Sequence, residues 1–161
     1  MRPEYADYMI RPATIADIDA LIGLRVAMFE AMGTPTDVLS RAVDPMRDYF
    51  EQHLPTGAFR VWIAVHQARP IASIGLVIHS VPPSPRNTVG KEAYIMNLVT
   101  LPEHRHRGIA KRLLLHVLDV ARSEGAPKAS LHASAAGRPV YERLGFAVSD
   151  ETPEMWLSLQ P

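Results

Sequence analysis

The sequence predicts one α/β domain built on a mostly antiparallel sheet with a single parallel strand–helix–strand crossover. Three observations predict it. Apolar residues recur at helical spacing as far as Phe50, and from Phe59 the period becomes that of strands. Between Ala93 and Ala133 a strand, an amphipathic helix and a second strand then follow one another. A chain of 161 residues carries the prior of one domain, residues 1–161, with a core of its own.

Tyr8 to Arg11 reads as a first strand. Thr14-Ile15-Ala16-Asp17 is a capping-box pattern, a hydroxyl followed three residues later by a carboxylate. It opens a helix that buries Ile18, Leu21, Ile22, Phe29 and Met32 and stops at Gly33. A second helix starts in Thr34-Pro35-Thr36-Asp37, with Pro35 suited to the first helical position and Leu39, Val43, Met46 and Phe50 as its apolar stripe. Phe59 to Val65 and Ile71 to His79 are rich in β-branched and aromatic residues and form a hairpin turned by His66 to Pro70. Three prolines make Val81 to Gly90 a loop, and Ala93 to Leu101 is apolar enough for a central strand. Arg107 to Glu124 is a helix with Ile109, Leu113, Val117 and Val120 on one stripe. Lys128 to Ala133 reads as a strand, Arg138 to Leu144 as a short helix and Met155 to Leu159 as a last strand.

Composition narrows the function classes. Lys plus Arg and Asp plus Glu are 17 each, so there is no bulk attraction to nucleic acid or to an acidic membrane, and neither is an expected partner. Cysteine is absent, which excludes a disulfide framework, a thiolate metal site and a cysteine nucleophile. Met1 to Ile10 lacks the apolar run of a signal peptide, and Val61 to Val81 is interrupted by Arg69-Pro70, so a cytoplasmic protein without a membrane span is expected. His104 and His106 stand one residue apart with no third ligand at helical spacing, and no metal is expected.

The segment richest in chemistry is Asn97-Leu98-Val99-Thr100-Leu101-Pro102-Glu103-His104-Arg105-His106-Arg107-Gly108-Ile109-Ala110. A strand ends at a proline, a short basic loop follows, and a helix begins at a glycine. Such a loop aims consecutive backbone N–H groups at one point, and the helix start adds its unpaired donors and positive dipole end. Gly108 admits a close ligand, Ala110 keeps the next turn narrow, and Arg105 and Arg107 with Lys111 and Arg112 add charge. The pattern suits a pyrophosphate. By itself R-x-x-G-x-[GA] arises by chance in roughly one in ten chains of this length, and a solvated basic turn would look the same. Its flanking strand and helix, and Tyr141-Glu142-Arg143-Leu144-Gly145-Phe146 thirty-one residues after Ala110, make it more specific.

On these residues the chain resembles the GCN5-related N-acetyltransferases, the GNAT superfamily. Arg105 to Ala110 resembles the family's [QR]-x-x-G-x-[GA] loop, Tyr141 to Phe146 its Y-x-x-x-G-F element, and Ile10 to Asp17 its I-R-x-A-x-x-x-D opening. Leu131-His132-Ala133-Ser134, Gly137-Arg138-Pro139 and Glu154-Met155 are similar to a bacterial subgroup. The resemblance implies a mixed, mostly antiparallel sheet of about six to seven strands flanked by helices, whose fourth and fifth strands splay apart after a β-bulge. It implies acetyl-CoA as co-substrate in that opening, with pantetheine along Leu98, Val99 and Thr100, and pyrophosphate on Arg105, His106, Arg107, Gly108, Ile109 and Ala110. Val99 N–H is then the oxyanion donor and Tyr141 the general acid toward the departing thiolate. The implied acceptor is an amine of a small molecule or peptide, acetylated directly in a ternary complex. A homodimer is the assembly that the family often forms.

The chain departs from the family at two places. Where many members have asparagine seven positions before the tyrosine, it has Ser134, whose capping of the next helix is a sufficient role beside cofactor contact. Where some have a strand glutamate as base, it has Tyr94, leaving His132, Glu92 and Glu30 as candidates, with His132 preferred for its titration range. Arg25 and Arg60 read as surface charges, although Arg25, Glu30 and Asp37 border the acceptor side by the resemblance, and Asn97 is a candidate for orienting substrate. Two readings stand beside N-acetyl transfer: use of a longer acyl-CoA, and a non-catalytic acyl-CoA-binding sensor that keeps the cradle without the chemistry.

Overall fold

The computed structural model describes residues 8–149 and 154–159, so most of the N-terminal segment read for a signal peptide lies outside the described residues. One sheet of five strands in the order β1-β2-β3-β4-β5 organises the chain. The strands are β1 (Met9–Pro12), β2 (Arg60–His66), β3 (Arg69–Ser80), β4 (Lys91–Thr100) and β5 (Ala129–Leu131). Neighbours pair antiparallel except β4 and β5, which are parallel and joined by α3 (Ile109–Ser123), the expected crossover. Helices α1 (Ile18–Ala31) and α2 (Thr36–His53) precede β2, and α4 (Arg138–Glu142) follows β5.

Each face of the sheet has its own core. Against α3 pack Trp62, Ile74, Leu76 and Ile95 with Leu113, Leu114 and Val117. On the other face Ile18, Leu21 and Ile22 of α1 and Phe50 of α2 meet Phe59, Val61, Ile63 and Val65. This two-sided cover explains why β2 and β3 read as nearly continuous apolar runs. Within the α2 stripe Leu39 and Phe50 are buried, while Val43 and Met46 are partly so.

Several boundaries differ from expectation. The β2–β3 turn is only Gln67-Ala68, flanked by the His66–Arg69 pair, and both residues have positive φ (47° and 63°) as a type I′ turn demands. Met32, expected on the buried stripe of α1, is 60% exposed because the helix closes at Gly33 before its side chain reaches the core. Pro35 stands at the N-cap and not inside α2. Arg60 is not a free surface charge, since its guanidinium is held by the Glu124 carboxylate.

The expected last strand is absent. Met155, Trp156, Leu157 and Leu159 are described, lie outside the sheet and are 82–91% exposed. A short apolar run makes a strand only when a neighbour pairs its backbone groups, and here no described strand adds to the far side of β5. The described sheet therefore has five strands in place of six to seven.

The capping box forms as read. Thr14 N–H donates to Asp17 Oδ2 at 2.8 Å, and Asp17 also takes two charged hydrogen bonds from Arg11 at 2.8 Å. These partners, the Arg11 guanidinium foremost, hold the Asp17 carboxyl down at about 2. Asp17 is buried while the Arg11 side chain is 37% exposed, so solvent screens part of the attraction. Asp17→Asn is expected to lower stability by about 1–2 kcal/mol, or Tm by about 3–8 °C. The folded carboxyl titrates below the unfolded one, so its contribution is complete above about pH 4 and vanishes as pH falls toward 2. Thermal melts between pH 2.5 and 6 should show a slope for the wild type that the variant lacks.

Candidate active site at the β4–β5 opening

The site begins where β4 and β5 part. Their pairing runs from Ala93–Ala129 to Ile95–Leu131 and ends there, while β4 continues to Thr100. On the β3 side the register passes from Gly75–Met96 to Ser73–Val99, so Asn97 and Leu98 together face the single residue Ile74. This is a β-bulge. Asn97 takes it up at φ 56°, a left-handed conformation that asparagine tolerates better than most side chains.

The bulge also changes which backbone groups face the opening. Ahead of it Ala93 N–H donates toward β5, to Lys128 O at 3.0 Å. Beyond it Leu101 N–H donates toward β3, to Ile71 O at 2.9 Å. Strand N–H groups alternate direction, so Val99, two residues before Leu101 and directly opposite Ser73, also points at β3. Leu98 and Thr100 face the gap. The Val99 N–H assigned as oxyanion donor is therefore turned away from the opening, and that assignment is corrected. Thr100 O, on the open side, accepts from Arg105 Nε at 3.1 Å, and Thr100 Oγ1 is a buried hydroxyl without a partner among the described residues.

After β4 a single 3₁₀ turn, Pro102–His104, lifts the chain into the basic loop. His106 (φ 61°) and Gly108 (φ 75°) adopt left-handed conformations on either side of Arg107, and α3 starts at Ile109. Arg112 N–H reaches Gly108 O at 3.0 Å. Ahead of it lie the unpaired N–H groups that any α-helix leaves in its first turn. Backbone donors from two left-handed residues and a helix start thus converge with the positive dipole end. Arg107 Nη1 donates to Tyr8 Oη at 2.9 Å, and neither Arg105 nor Arg107 is paired with a carboxylate among the described residues. Burial beside Tyr8 and His66 pushes the His104 imidazole below its usual value.

Tyr141 stands on α4 with its ring buried. The Y-x-x-x-G-F spacing has a local cause. Gly145 (φ 91°) closes α4, its N–H donating to Glu142 O at 3.0 Å, while Phe146 N–H reaches Tyr141 O at 3.2 Å. That is a Schellman cap, and its usual hydrophobic clasp is the edge-on contact of the Tyr141 and Phe146 rings, 6.0 Å between centroids. Burial raises the phenol above its ordinary value, and its hydroxyl has no hydrogen-bond partner among the described residues. Ser134 Oγ accepts from Gly137 N–H at 3.1 Å, in the turn leading into α4.

On the opposite face α1, α2 and β4 enclose a cavity of about 480 Å³ that reaches Asn97. Its walls include Phe29, Val38, Met46, Tyr49 and Phe50. Arg25, read as a surface charge, lies half-buried in this cavity. It donates to Asn97 Oδ1 and lies 5.1 Å over the Phe29 ring. Burial pulls its guanidinium below the ordinary value, with Tyr49 opposing. The signal was present in the sequence: Arg25 follows Leu21 by four and Ile22 by three, inside the apolar stripe of α1.

His132 follows the end of β5, exposed, with its ring bonded to Tyr94 Oη on one side and the Glu154 carboxylate on the other. Tyr94 pairs with Val77, which packs on the α1/α2 core, so Tyr94 lies on the cavity's face of the sheet. Burial raises the Tyr94 phenol, with Glu154 adding to the effect. Glu92 is engaged elsewhere, near Lys128 and His79 at the far end of β4. Glu30 and Asp37 are exposed and do not line the cavity. Among the described residues no three His, Asp or Glu side chains gather as a metal would require, and no helix is long and apolar enough to cross a membrane.

An open strand edge running into a basic loop at a helix start defines a fold class. The acetyltransferase (GNAT) family model matches residues 26–146, and the chain belongs to that family. Over 96 residues it is 32% identical to glucosamine 6-phosphate N-acetyltransferase of Trypanosoma brucei brucei, taking in 58% of this chain. The chain spans about half the length (54%) of that curated relative. Among solved structures it is similar to a GCN5-related N-acetyltransferase from Ralstonia eutropha JMP134 (TM-score 0.83, 32% identity, 92% of this chain and 98% of that one). A predicted acetyltransferase from Clostridium acetobutylicum, solved with acetyl-CoA, is similar to the same degree (TM-score 0.83, 30% identity, 95% of this chain and 96% of that one).

Proposed function

We propose that this chain is an N-acetyltransferase that moves the acetyl group of acetyl-CoA directly to an amine. The observation that carries the reading is the free edge of β4 at Leu98 and Thr100, continuous with the donor-lined loop at the start of α3. Pyrophosphate lies on the backbone of His106 to Ala110, with Arg105 and Arg107 supplying charge. Pantetheine pairs along β4 as an added strand, using Thr100 nearer the loop. The thioester then falls at the bulge, where Leu98 N–H donates to its carbonyl oxygen and strengthens that bond as the oxyanion develops.

The amine attacks from the cavity face. Its nitrogen forms a bond to the acyl carbon while the carbon–sulfur bond breaks. The proton that the amine loses passes through Tyr94 Oη, on the cavity face, to the His132 imidazole, whose other nitrogen is held by Glu154. Tyr141 donates a hydrogen bond to the departing sulfur. A phenol raised by burial is a weaker acid than a thiol near 8.5, so Tyr141 stabilises developing charge and water completes the transfer.

Acetyl-CoA at about 100 times its Kd is expected to stabilise the protein by about 2.7 kcal/mol, read as a rise in Tm. Release of CoA thiol across an amine panel then separates an enzyme from an acyl-CoA sensor. No stabilisation at millimolar acetyl-CoA would end both readings, and stabilisation without turnover on any amine would favour the sensor.

A further inference from the structure

Resting on the N-acetyltransferase reading, we infer that the acceptor is an α-amino acid with an apolar side chain, its carboxylate held by Arg25 and its side chain filling the cavity between α1 and α2. The argument starts from the distribution of polarity. A volume of about 480 Å³ lies within the range of small-molecule sites. Phe29, Val38, Met46, Tyr49 and Phe50 make its walls apolar, and Val38 and Tyr49 are among the exposed large hydrophobic residues of the chain. No carboxylate lines it among the described residues. A polycationic amine would find no partner there and would meet Arg25 as a like charge.

The charged group of the lining and its amide partner stand at the end nearest the bulge. Arg25 and Asn97 hydrogen-bond to each other there, and Arg25 has no carboxylate partner among the described residues. A half-buried guanidinium is a costly group to leave without a counter-charge, and a planar carboxylate is a ligand that its fork can bind with two parallel hydrogen bonds. Asn97 adjoins Leu98, whose N–H faces the opening where the acyl carbon must lie. The amine must therefore sit close to the carboxylate, and a single carbon bears both groups in an α-amino acid. The opposite end of such a molecule is its side chain, which meets mostly apolar walls, the Thr34 and Tyr49 hydroxyls being the other polar groups of the lining. A phosphorylated amino sugar has the reverse character: its hydroxyls would be buried against phenylalanine and methionine without partners.

In the reaction the α-amino nitrogen bonds the acetyl carbon, the thioester carbon–sulfur bond breaks, the amine proton leaves through Tyr94 Oη to His132, and the sulfur takes its proton from water. The products are an N-acetyl amino acid and CoA.

The test uses the full chain, acetyl-CoA and thiol release. The acceptors are L-phenylalanine, L-leucine, L-phenylalaninamide, phenethylamine and glucosamine 6-phosphate. The better amino acid should exceed phenylalaninamide and phenethylamine in kcat/KM by about 10- to 100-fold, the range of a charge-assisted pair of hydrogen bonds. Arg25→Gln should collapse that ratio to within about threefold, a double-difference measurement that a general loss of structure would not mimic. Should the variant fail to fold, the wild-type ratio decides alone, and N-acetyl-L-phenylalanine with CoA should raise Tm above CoA alone. Equal turnover of acid and amide, preference for glucosamine 6-phosphate, or inert apolar amino acids on a protein that binds acetyl-CoA would each overturn the inference and leave the cofactor reading standing. Absence of acetyl-CoA binding would remove both.

Discussion

Tyr141→Phe is expected to lower kcat by about 10²- to 10³-fold while acetyl-CoA affinity stays within about threefold. The size follows from what is removed. Removing one preorganised hydrogen-bond donor to developing charge costs about that factor, whereas the ring that packs against Phe146 is retained. The Tyr141 hydroxyl has no partner among the described residues, so its loss leaves no described group unsatisfied, and Tm should move little. Because the phenol is raised by burial, it stays protonated through neutral and mildly alkaline pH, and the wild-type kcat should not fall on its account across that range. Single-turnover rates on the best acceptor, with calorimetric acetyl-CoA binding beside them, measure both halves. A variant retaining more than a tenth of wild-type kcat would make Tyr141 a packing residue that clasps Phe146.

The second large effect belongs to Gly108→Val, expected to weaken acetyl-CoA binding by about 30- to 100-fold or more. At φ 75° a β-branched side chain strains the backbone by about 2–3 kcal/mol, and relief of that strain turns the N–H groups of the cradle away from a common point. Gly108→Asn is the informative companion, because asparagine reaches the left-handed region at smaller cost. Titration calorimetry should rank wild type, asparagine and valine in that order. Equal and large losses in the two variants would mean that close approach of the ligand, rather than φ, is what Gly108 provides. Unchanged affinity in both would sink the assignment of the pyrophosphate to this loop.

Much of the architecture was legible because its causes are local. The Thr14–Asp17 capping box, the apolar stripe of α3 and the Gly145 stop each depend on residues within a turn or two. The crossover from β4 through α3 to β5 follows from period and length, and its parallel pairing from the helix that carries the chain back to the end of the sheet where β4 began. The Y-x-x-x-G-F element was legible as a motif, and its spacing is that of a helix C-cap, with tyrosine and phenylalanine at the two positions that clasp. Met155 to Leu159 shows the limit of such reasoning. Its apolar run suits a strand, yet strand formation requires a partner, and residue pattern alone does not supply one.

By itself the sequence determined the segment proposed to hold the acetyl donor: a strand, a proline, a basic loop and a glycine at a helix start, all contiguous in the chain. Only the tertiary structure decided which strand groups face the opening. One bulge at Asn97 reverses the parity, turning Val99 to β3 and leaving Leu98 and Thr100 at the open edge. Only packing of α1 and α2 against the sheet converted Arg25 from a charge on a helix into a half-buried cation beside Asn97. Both outcomes depend on contacts between residues far apart in the chain, which local periodicity does not encode. The acceptor side of the site is made of such contacts.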